Sequence, residues 1–262
     1  ACSVTAVKLG IKVGHIESGL RSFDRTMPEE INRIITDSIS DYLFFTERSG
    51  IENLLREGIP KEKMFFVGNT MIDNLIAHLN KISQKKAFRR LHLEEKNYVV
   101  VTFHRPSNVD IQEQLKKMVD FLNRMAQTTH IVFPIHPRTK NNLDQIGLLK
   151  SLLESIHLTE PMGYIEFMSL VHDSSGVITD SGGIQEETTF LKIPCITVRN
   201  STERPITIEV GSNILAGADF DKAYSIFLKK KETLSNSTQI PPLWDGKSAE
   251  RIIETIKNKF FI

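Results

Sequence analysis

Short β-rich runs alternate with amphipathic stretches along nearly all of this 262-residue chain. That alternation restricts the fold more than any other feature, because it is the pattern of parallel sheet with helical crossovers. Nine runs are predicted as strands: Ile11–Val13, Tyr42–Thr46, Met64–Val67, Tyr98–Phe103, His130–Ile135, Ile156–Leu158, Gly176–Thr179, Cys195–Val198 and Asn213–Leu215. Helices are expected between them. The clearest covers 110–126, where Ile111, Leu115, Met118, Val119, Leu122, Met125 and Ala126 recur at helical spacing and Ser107 or Asn108 can cap. Residues 1–9 read as the tail of a helix that Gly10 stops, feeding the first strand. A last amphipathic helix is predicted over Ser248–Phe261, on Ile252, Ile253, Ile256, Phe260 and Phe261, packing on either lobe. The charged stretch 83–97, with Lys85, Lys86, Arg89, Arg90, Glu94, Glu95 and Lys96, suits a joint between two lobes as well as an exposed helix.

Composition narrows the function classes. A chain 40% apolar and 25% charged can build one large core or two modest ones, which excludes disordered and collagen-like proteins. Lys+Arg 33 against Asp+Glu 32 leaves a net charge of +1, so no bulk field draws it to nucleic acid or anionic lipid. Any anion must be met locally. The apolar run Tyr98–Phe103 is far shorter than the roughly 18 residues of a membrane span. Two cysteines, Cys2 and Cys195, give neither a zinc motif nor a disulfide framework and fit a reducing cytoplasm.

In parallel α/β sheets ligands lie beyond the carboxyl ends of the strands, and polar groups gather there in this sequence. His15, Glu17 and Arg21 follow the first strand, His104 and Arg105 the fourth, His136 and Arg138 the fifth. Asp180, Ser181, Gly182 and Gly183 follow Thr179, while Asn200, Glu203 and Arg204 follow Val198. The strongest local signal is Thr179-Asp-Ser-Gly-Gly-Ile-Gln-Glu-Glu187, a strand running through two glycines into a helix. Bare N–H groups at such a helix start suit a phosphate or diphosphate; a capped tight turn is the plainer account. It is neither a Walker A loop nor a GxGxxG fingerprint. Glu187, one turn in, could accept from a ribose diol.

Thr26-Met-Pro-Glu29 places Thr26 as N-cap and Glu29 at the capping-box position, ahead of Ile31, Ile34, Ile35 and Ile39. Capping alone accounts for Glu29, yet Glu17 lies twelve residues upstream, and two carboxylates facing one cleft would suit paired proton transfers. Arg204, before Pro205, would fit a phosphate, or else a surface ion pair with Glu203 or Glu209. Phe167 could stack on a base or belong to the core. No histidine spacing suggests a catalytic metal, and no cofactor is expected.

Taken in order, Val13-Gly-His-Ile-Glu-Ser-Gly-Leu-Arg21, Met27-Pro-Glu-Glu-Ile-Asn-Arg33, Phe66-Val-Gly-Asn-Thr-Met-Ile-Asp73, Thr102-Phe-His-Arg-Pro-Ser-Asn108, Thr179–Glu187 and Thr202-Glu-Arg-Pro205 resemble the non-hydrolysing UDP-N-acetylglucosamine 2-epimerase family. The resemblance implies a glycosyltransferase-B architecture of two Rossmann-like lobes, the first incomplete. Residues 1–82 would be the remainder of that lobe, 83–97 the linker, 98–245 the UDP-binding lobe and 246–262 a closing helix. It implies interconversion of UDP-N-acetylglucosamine and UDP-N-acetylmannosamine by elimination of UDP and its re-addition to an unsaturated 2-acetamidoglucal. Glu17 and Glu29 become the acid/base candidates and His104 the group steadying the diphosphate. Ser181 and Gly182 would donate to phosphate, Arg204 bind it, Glu187 hold the ribose and Phe167 the uracil, with Arg105, His136 and Gly183 counted in the same binding set.

The resemblance also sets expectations of absence. The family's Gly-Asp-Thr motif and an arginine-bearing first loop would lie upstream of Ala1, so the chain is expected to be a fragment with weak or no turnover. Many bacterial relatives read His-Arg-Arg-Glu where this chain has His104-Arg-Pro-Ser107, which weakens the expectation of regulation by a second UDP-sugar. A homodimer is the family's usual state. The competing readings are a UDP-binding module without catalysis, or a hydrolysing epimerase or glycosyltransferase of the same architecture.

Overall fold

A computed structural model describes residues 1–152, 154–230 and 238–260. The chain opens with α1 (Cys2–Lys8), β1 (Gly14–Ile16), α2 (Pro28–Ile39), β2 (Tyr42–Phe45), α3 (Arg48–Arg56), β3 (Met64–Phe66) and α4 (Thr70–Lys85). It continues through β4 (Tyr98–Thr102), α5 (Pro106–Val109), α6 (Gln112–Ala126), β5 (His130–Pro134), α7 (Pro137–Gln145), β6 (Ile156–Thr159) and α8 (Tyr164–Asp173). Then follow β7 (Gly176–Thr179), α9 (Gly182–Leu191), β8 (Cys195–Thr197), α10 (Ile206–Glu209), β9 (Asn213–Leu215), α11 (Phe220–Lys230) and α12 (Ser248–Phe260). Phe261, assigned by sequence to the apolar face of the last helix, lies outside the described residues, and nothing is described of the Phe260 side chain.

The chain divides into two compact units, Ala1–Ala77 with Thr202–Glu209 and Ile240–Ile262, and His78–Ser201 with Val210–Gln239. The first holds a three-stranded sheet in the order β1-β2-β3, with both pairings parallel. Phe44, Val67 and Ile252 form one of its apolar clusters, and Leu43, Phe45, Leu54 and Met64 another. Ile252 brings α12 into this unit, and the Asp73 carboxylate accepts from the N–H groups of Ser248 and Ala249 at 3.1 and 2.7 Å, capping that helix from α4. Gly68, at φ +91°, passes so near the 240s segment that an added Cβ would sit 2.1 Å from the Leu243 carbonyl oxygen.

The second unit is a six-stranded parallel sheet in the order β6-β5-β4-β7-β8-β9. Its central strand β4 is Tyr-Val-Val-Val-Thr, buried from Tyr98 to Val101, as a strand covered by helices on both faces must be. From α6, Leu115, Met118, Val119, Leu122 and Met125 enter the main core with Phe103, Phe133, Ile178 and Val198. Counted from β4, the order is 3-2-1-4-5-6, that of a doubly wound dinucleotide-type sheet, and its direction reverses between β4 and β7.

Several expectations need correction. The first strand begins three residues later than its apolar run, because Val13 is tied to Asp41 through its N–H and carbonyl while Ile11 stays 55% exposed; His15 is therefore inside β1. The helix expected over 110–126 begins at Gln112, with Ile111 as its N-cap at 54% exposure, and a separate short helix α5 precedes it from Pro106, so Ser107 and Asn108 lie in α5 instead of capping. In α2 the N-cap is Met27, while the Thr26 hydroxyl bonds Asp24 at 2.6 Å. Its fully buried residues are Glu30 and Asp37, while Ile35 is 43% exposed.

The stretch 83–97 groups with the second unit. Lys86 reaches the buried Asp173 carboxylate at 3.1 Å, the Lys96 ammonium donates to the carbonyls of His172 and Ser174, and Phe88 is buried, so α8 holds it down. Thr202–Glu209 and residues 240–245, expected in the second lobe, group with the first unit, as does the closing helix, expected on either lobe.

Candidate active site

In a doubly wound sheet the ligand crevice opens where strand order reverses, at the carboxyl ends. In the second unit that place is flanked by His104 and Arg105 after β4 and by Asp180 and Ser181 after β7. The two strands are stapled at this end by the Thr102 and Thr179 hydroxyls, 2.7 Å apart, and the Thr179 hydroxyl also accepts from the Ser181 N–H at 2.9 Å. Asp180 is wholly buried and its carboxylate gathers the opposite loop. It accepts from the N–H groups of His104 at 3.1 Å and Arg105 at 2.9 Å and from the Asn108 amide at 3.0 Å, and His104 Nδ1 lies 3.0 Å from one of its oxygens. The His104 ring is left part-exposed, 6.2 Å from the ring of His136. His136 itself is the N-cap of α7, its Nδ1 accepting from the Arg138 N–H.

Ser181 is the N-cap residue of α9, but its side chain makes no capping bond. Gly182 is buried and Gly183 half-buried in the first turn, whose N–H groups have no intrahelical acceptor by construction. Both Glu186 and Glu187 are buried. Burial pushes the Glu187 carboxyl up to about 7, with the Tyr164 hydroxyl of α8 pulling the other way. Phe167, on the same helix, is half-buried.

In the first unit Glu17 follows β1 directly and adopts φ +64°, a left-handed conformation that a side chain occupies at a cost of about 1–2 kcal/mol. The surrounding bonds explain how it is held. Asp37, wholly buried on α2, accepts from His15 Nδ1 at 2.6 Å, from the Gly19 N–H at 3.0 Å and from Arg21 at 2.7 Å, gripping the loop on both sides of Glu17. Arg21 is also joined to Glu57 by its Nε and Nη2. Glu17 Oε2 accepts from Arg204 Nη2 at 2.9 Å. Arg204 is 8% exposed, and the carboxylate it meets at 2.9 Å is the candidate base.

Glu47, 2% exposed, completes this charged group. Burial pushes its carboxyl up to about 7, opposed by the Ser49 hydroxyl, the Arg204 charge and the Ile206 N–H. Glu29 stays exposed on the first turn of α2, while its neighbour Glu30 is buried and accepts from the N–H groups of Ser22 and Phe23 and from Arg33.

Glu47 and Glu187 make stability depend on pH in a definite direction. Both are raised from an ordinary value of 4.5, so between about 4.5 and 7 the unfolded chain gives up these protons while the folded chain keeps them. Their contribution is full below that window and is lost as pH rises through it. Thermal melts at pH 5 and pH 8 should show Glu47→Gln and Glu187→Gln each gaining stability at the higher pH relative to the lower, on the order of 2 kcal/mol. A parallel pH profile in variant and wild type would contradict this.

A family model described as UDP-N-acetylglucosamine 2-epimerase matches residues 1–257. The UDP-N-acetylglucosamine 2-epimerase of Methanocaldococcus jannaschii is 45% identical over 267 residues, a match covering 98% of this chain and 71% of that protein. The chain belongs to the UDP-N-acetylglucosamine 2-epimerase family. Among solved structures of the family, the M. jannaschii enzyme in complex with UDP-GlcNAc and UDP superposes with a TM-score of 0.85 at 40% identity, covering 98% of this chain and 72% of that one. The Neisseria meningitidis UDP-GlcNAc 2-epimerase bound to UDP-GlcNAc gives 0.88 at 30% identity, with the same coverage.

The parallel, helix-connected sheets of both units are those of a glycosyltransferase-B-type epimerase, an isomerase family. Among the described residues no helix is long and apolar enough to cross a membrane. Within this epimerase chain the structure brings Glu17 to Arg204 and His104 to Asp180 and His136. Sequence reading left Asp37, Glu47, Tyr164 and the hub role of Asp180 unassigned. Asp180 carried a signal, a carboxylate directly after a buried strand. Asp37 and Glu47 carried none, since an acidic residue in a helix or at a helix start reads as solvated.

Proposed function

We propose that this chain catalyses inversion at C2 of UDP-N-acetylglucosamine, giving UDP-N-acetylmannosamine by elimination and re-addition of UDP. In the first half a base takes the C2 proton as the C1–O bond to UDP breaks, leaving 2-acetamidoglucal. In the second half a proton is returned to the opposite face of C2 while a diphosphate oxygen closes on C1, so no atom is gained or lost. Glu17 and Glu29 are the proposed proton carriers. His104, the Ser181 hydroxyl, the first-turn N–H groups of Gly182 and Gly183, Arg105 and His136 are assigned to the diphosphate, Glu187 to the ribose and Phe167 to the uracil. The observation that most supports this reading is the set of groups at the strand-order reversal, where the α9 N-terminus and an imidazole tied to a buried carboxylate lie after adjacent strands.

Arg204 is assigned to phosphate charge, in exchange for its present partner Glu17. Calorimetry should show UDP binding weakened by about tenfold or more in Arg204→Ala, the size expected when a charge-assisted hydrogen bond is lost. An unchanged dissociation constant would leave Arg204 only its intramolecular role. For the reaction, UDP-N-acetylglucosamine in deuterium oxide should yield the epimeric nucleotide sugar with deuterium at C2. Release of free N-acetylmannosamine with UDP, or of a glycoside, would replace this reading by the hydrolysing or transferring one. We include in the proposal a homodimer, on family resemblance, and a reducing cytoplasm, which the free thiols of Cys2 and Cys195 support.

A further inference from the structure

We propose that Asp180 is a positioning residue that holds His104 in its Nδ1–H form and turns Nε2 outward as the nitrogen that meets the ligand. The proposal deepens the reading of His104 as the diphosphate-facing group and rests on it.

Neutral imidazole has one N–H, and the hydrogen bond made by one nitrogen decides what the other offers. His104 Nδ1 lies 3.0 Å from a carboxylate oxygen of Asp180, an acceptor with no proton to give when ionised, so Nδ1 must be the donor. Asp180 cannot swing away to release it. Its carboxylate is wholly buried and is fixed by the N–H groups of His104 and Arg105 and by the amide of Asn108, which is itself bonded to the Val198 carbonyl at 3.1 Å. Each of these donors points its hydrogen at the carboxylate, which leaves it an acceptor toward Nδ1. Nε2 then becomes the sole site at which the ring takes up or gives a proton. With a proton there, the ring is a cation backed by a buried anion, suited to a departing diphosphate oxygen. The backbone bonds do a second task, fixing the start of the loop that carries the ring.

Two measurements separate this role from a structural one. In protein labelled with ¹⁵N histidine, the His104 resonances, identified by their loss in His104→Asn, should report the Nδ1–H form for the neutral ring. Asp180→Asn, whose amide can donate to Nδ1, should convert it to the Nε2–H form. The second measurement is a kinetic cycle. Asp180→Asn is expected to lower kcat by about 10²-fold or more with KM changed by less than about threefold. In the His104→Asn background the same change should cost less than about threefold, because the residue it acts through is gone.

A neutral wild-type ring found in the Nε2–H form would overturn the proposal, and this test needs no variant to fold. Equal losses from Asp180→Asn in both backgrounds would reduce Asp180 to a loop anchor and overturn it likewise. Near-normal turnover in His104→Asn would instead remove the functional reading of His104, a distinct failure, since the tautomer measurement is independent of activity.

Discussion

Exchange of Glu17 for glutamine should lower kcat by about 10²–10⁴-fold while tightening the binding of UDP several-fold. The two effects have opposite signs because Glu17 has two relations. As the proposed proton carrier at C2 it would be needed in both halves of the reaction, and the amide can neither take nor give that proton at neutral pH. As the partner of Arg204 Nη2 at 2.9 Å it occupies a guanidinium that phosphate would use. The pair is partly shielded from water, with side-chain exposures of 10% and 29%, so a diphosphate must displace a hydrogen-bonded anion to reach Arg204. Glutamine keeps the shape and removes the charge, and the competition falls away. Turnover assays and UDP calorimetry on the same preparation test both halves. Normal turnover would remove Glu17 from the chemistry, and unchanged UDP affinity would remove the competition.

Gly19→Ala is expected to cost about 2–5 kcal/mol of stability, seen as a large fall in the denaturant midpoint. Gly19 adopts φ +78°, which alone costs a side chain about 1–2 kcal/mol. An added Cβ would lie 2.3 Å from the Gly50 carbonyl oxygen and 2.8 Å from its Cα. Those are backbone atoms of α3, so relief requires moving a helix or the loop, and overpacking of that kind adds about 1–3 kcal/mol. The loop is held from three directions, by Asp37 at the Gly19 N–H, by the Asn53 amide at the Gly19 carbonyl and by Glu57 at Arg21, and has little room to adjust. A variant as stable as the wild type would show that the loop can yield, and that the left-handed Glu17 is not rigidly set.

The sheets were legible because apolar content decides them. Tyr98-Val-Val-Val and Gly176-Val-Ile-Thr can be nothing but buried strand, and both appear where the pattern puts them. The first strand was not, because Ile11 and Val13 look like strand residues, yet Asp41 captures Val13 and shifts the ladder onto Gly14-His15-Ile16. Helix α2 shows the same limit from the other side. Its isoleucines advertise a buried face, but Glu30 and Asp37 are buried more deeply, since each satisfies several loop N–H groups, a demand that spacing cannot display. For the site, Glu17, His104 and Ser181 were found as polar groups following strands, and the carboxylate behind His104 was in view in Thr179-Asp-Ser-Gly-Gly. What stayed hidden was pairing at long range, such as Glu17 with Arg204, 187 positions apart.

The first unit takes its helix α12 and the Ile240 segment from sequence downstream of the second unit, clamped by Asp73 and by the passage at Gly68. On the ribosome, β1 to β3 must therefore wait, with Phe44 and Val67 uncovered, until every strand of the second unit has been synthesised. A nascent chain arrested before Ile240 should consequently display a finished second unit beside a protease-sensitive, chaperone-recruiting first one.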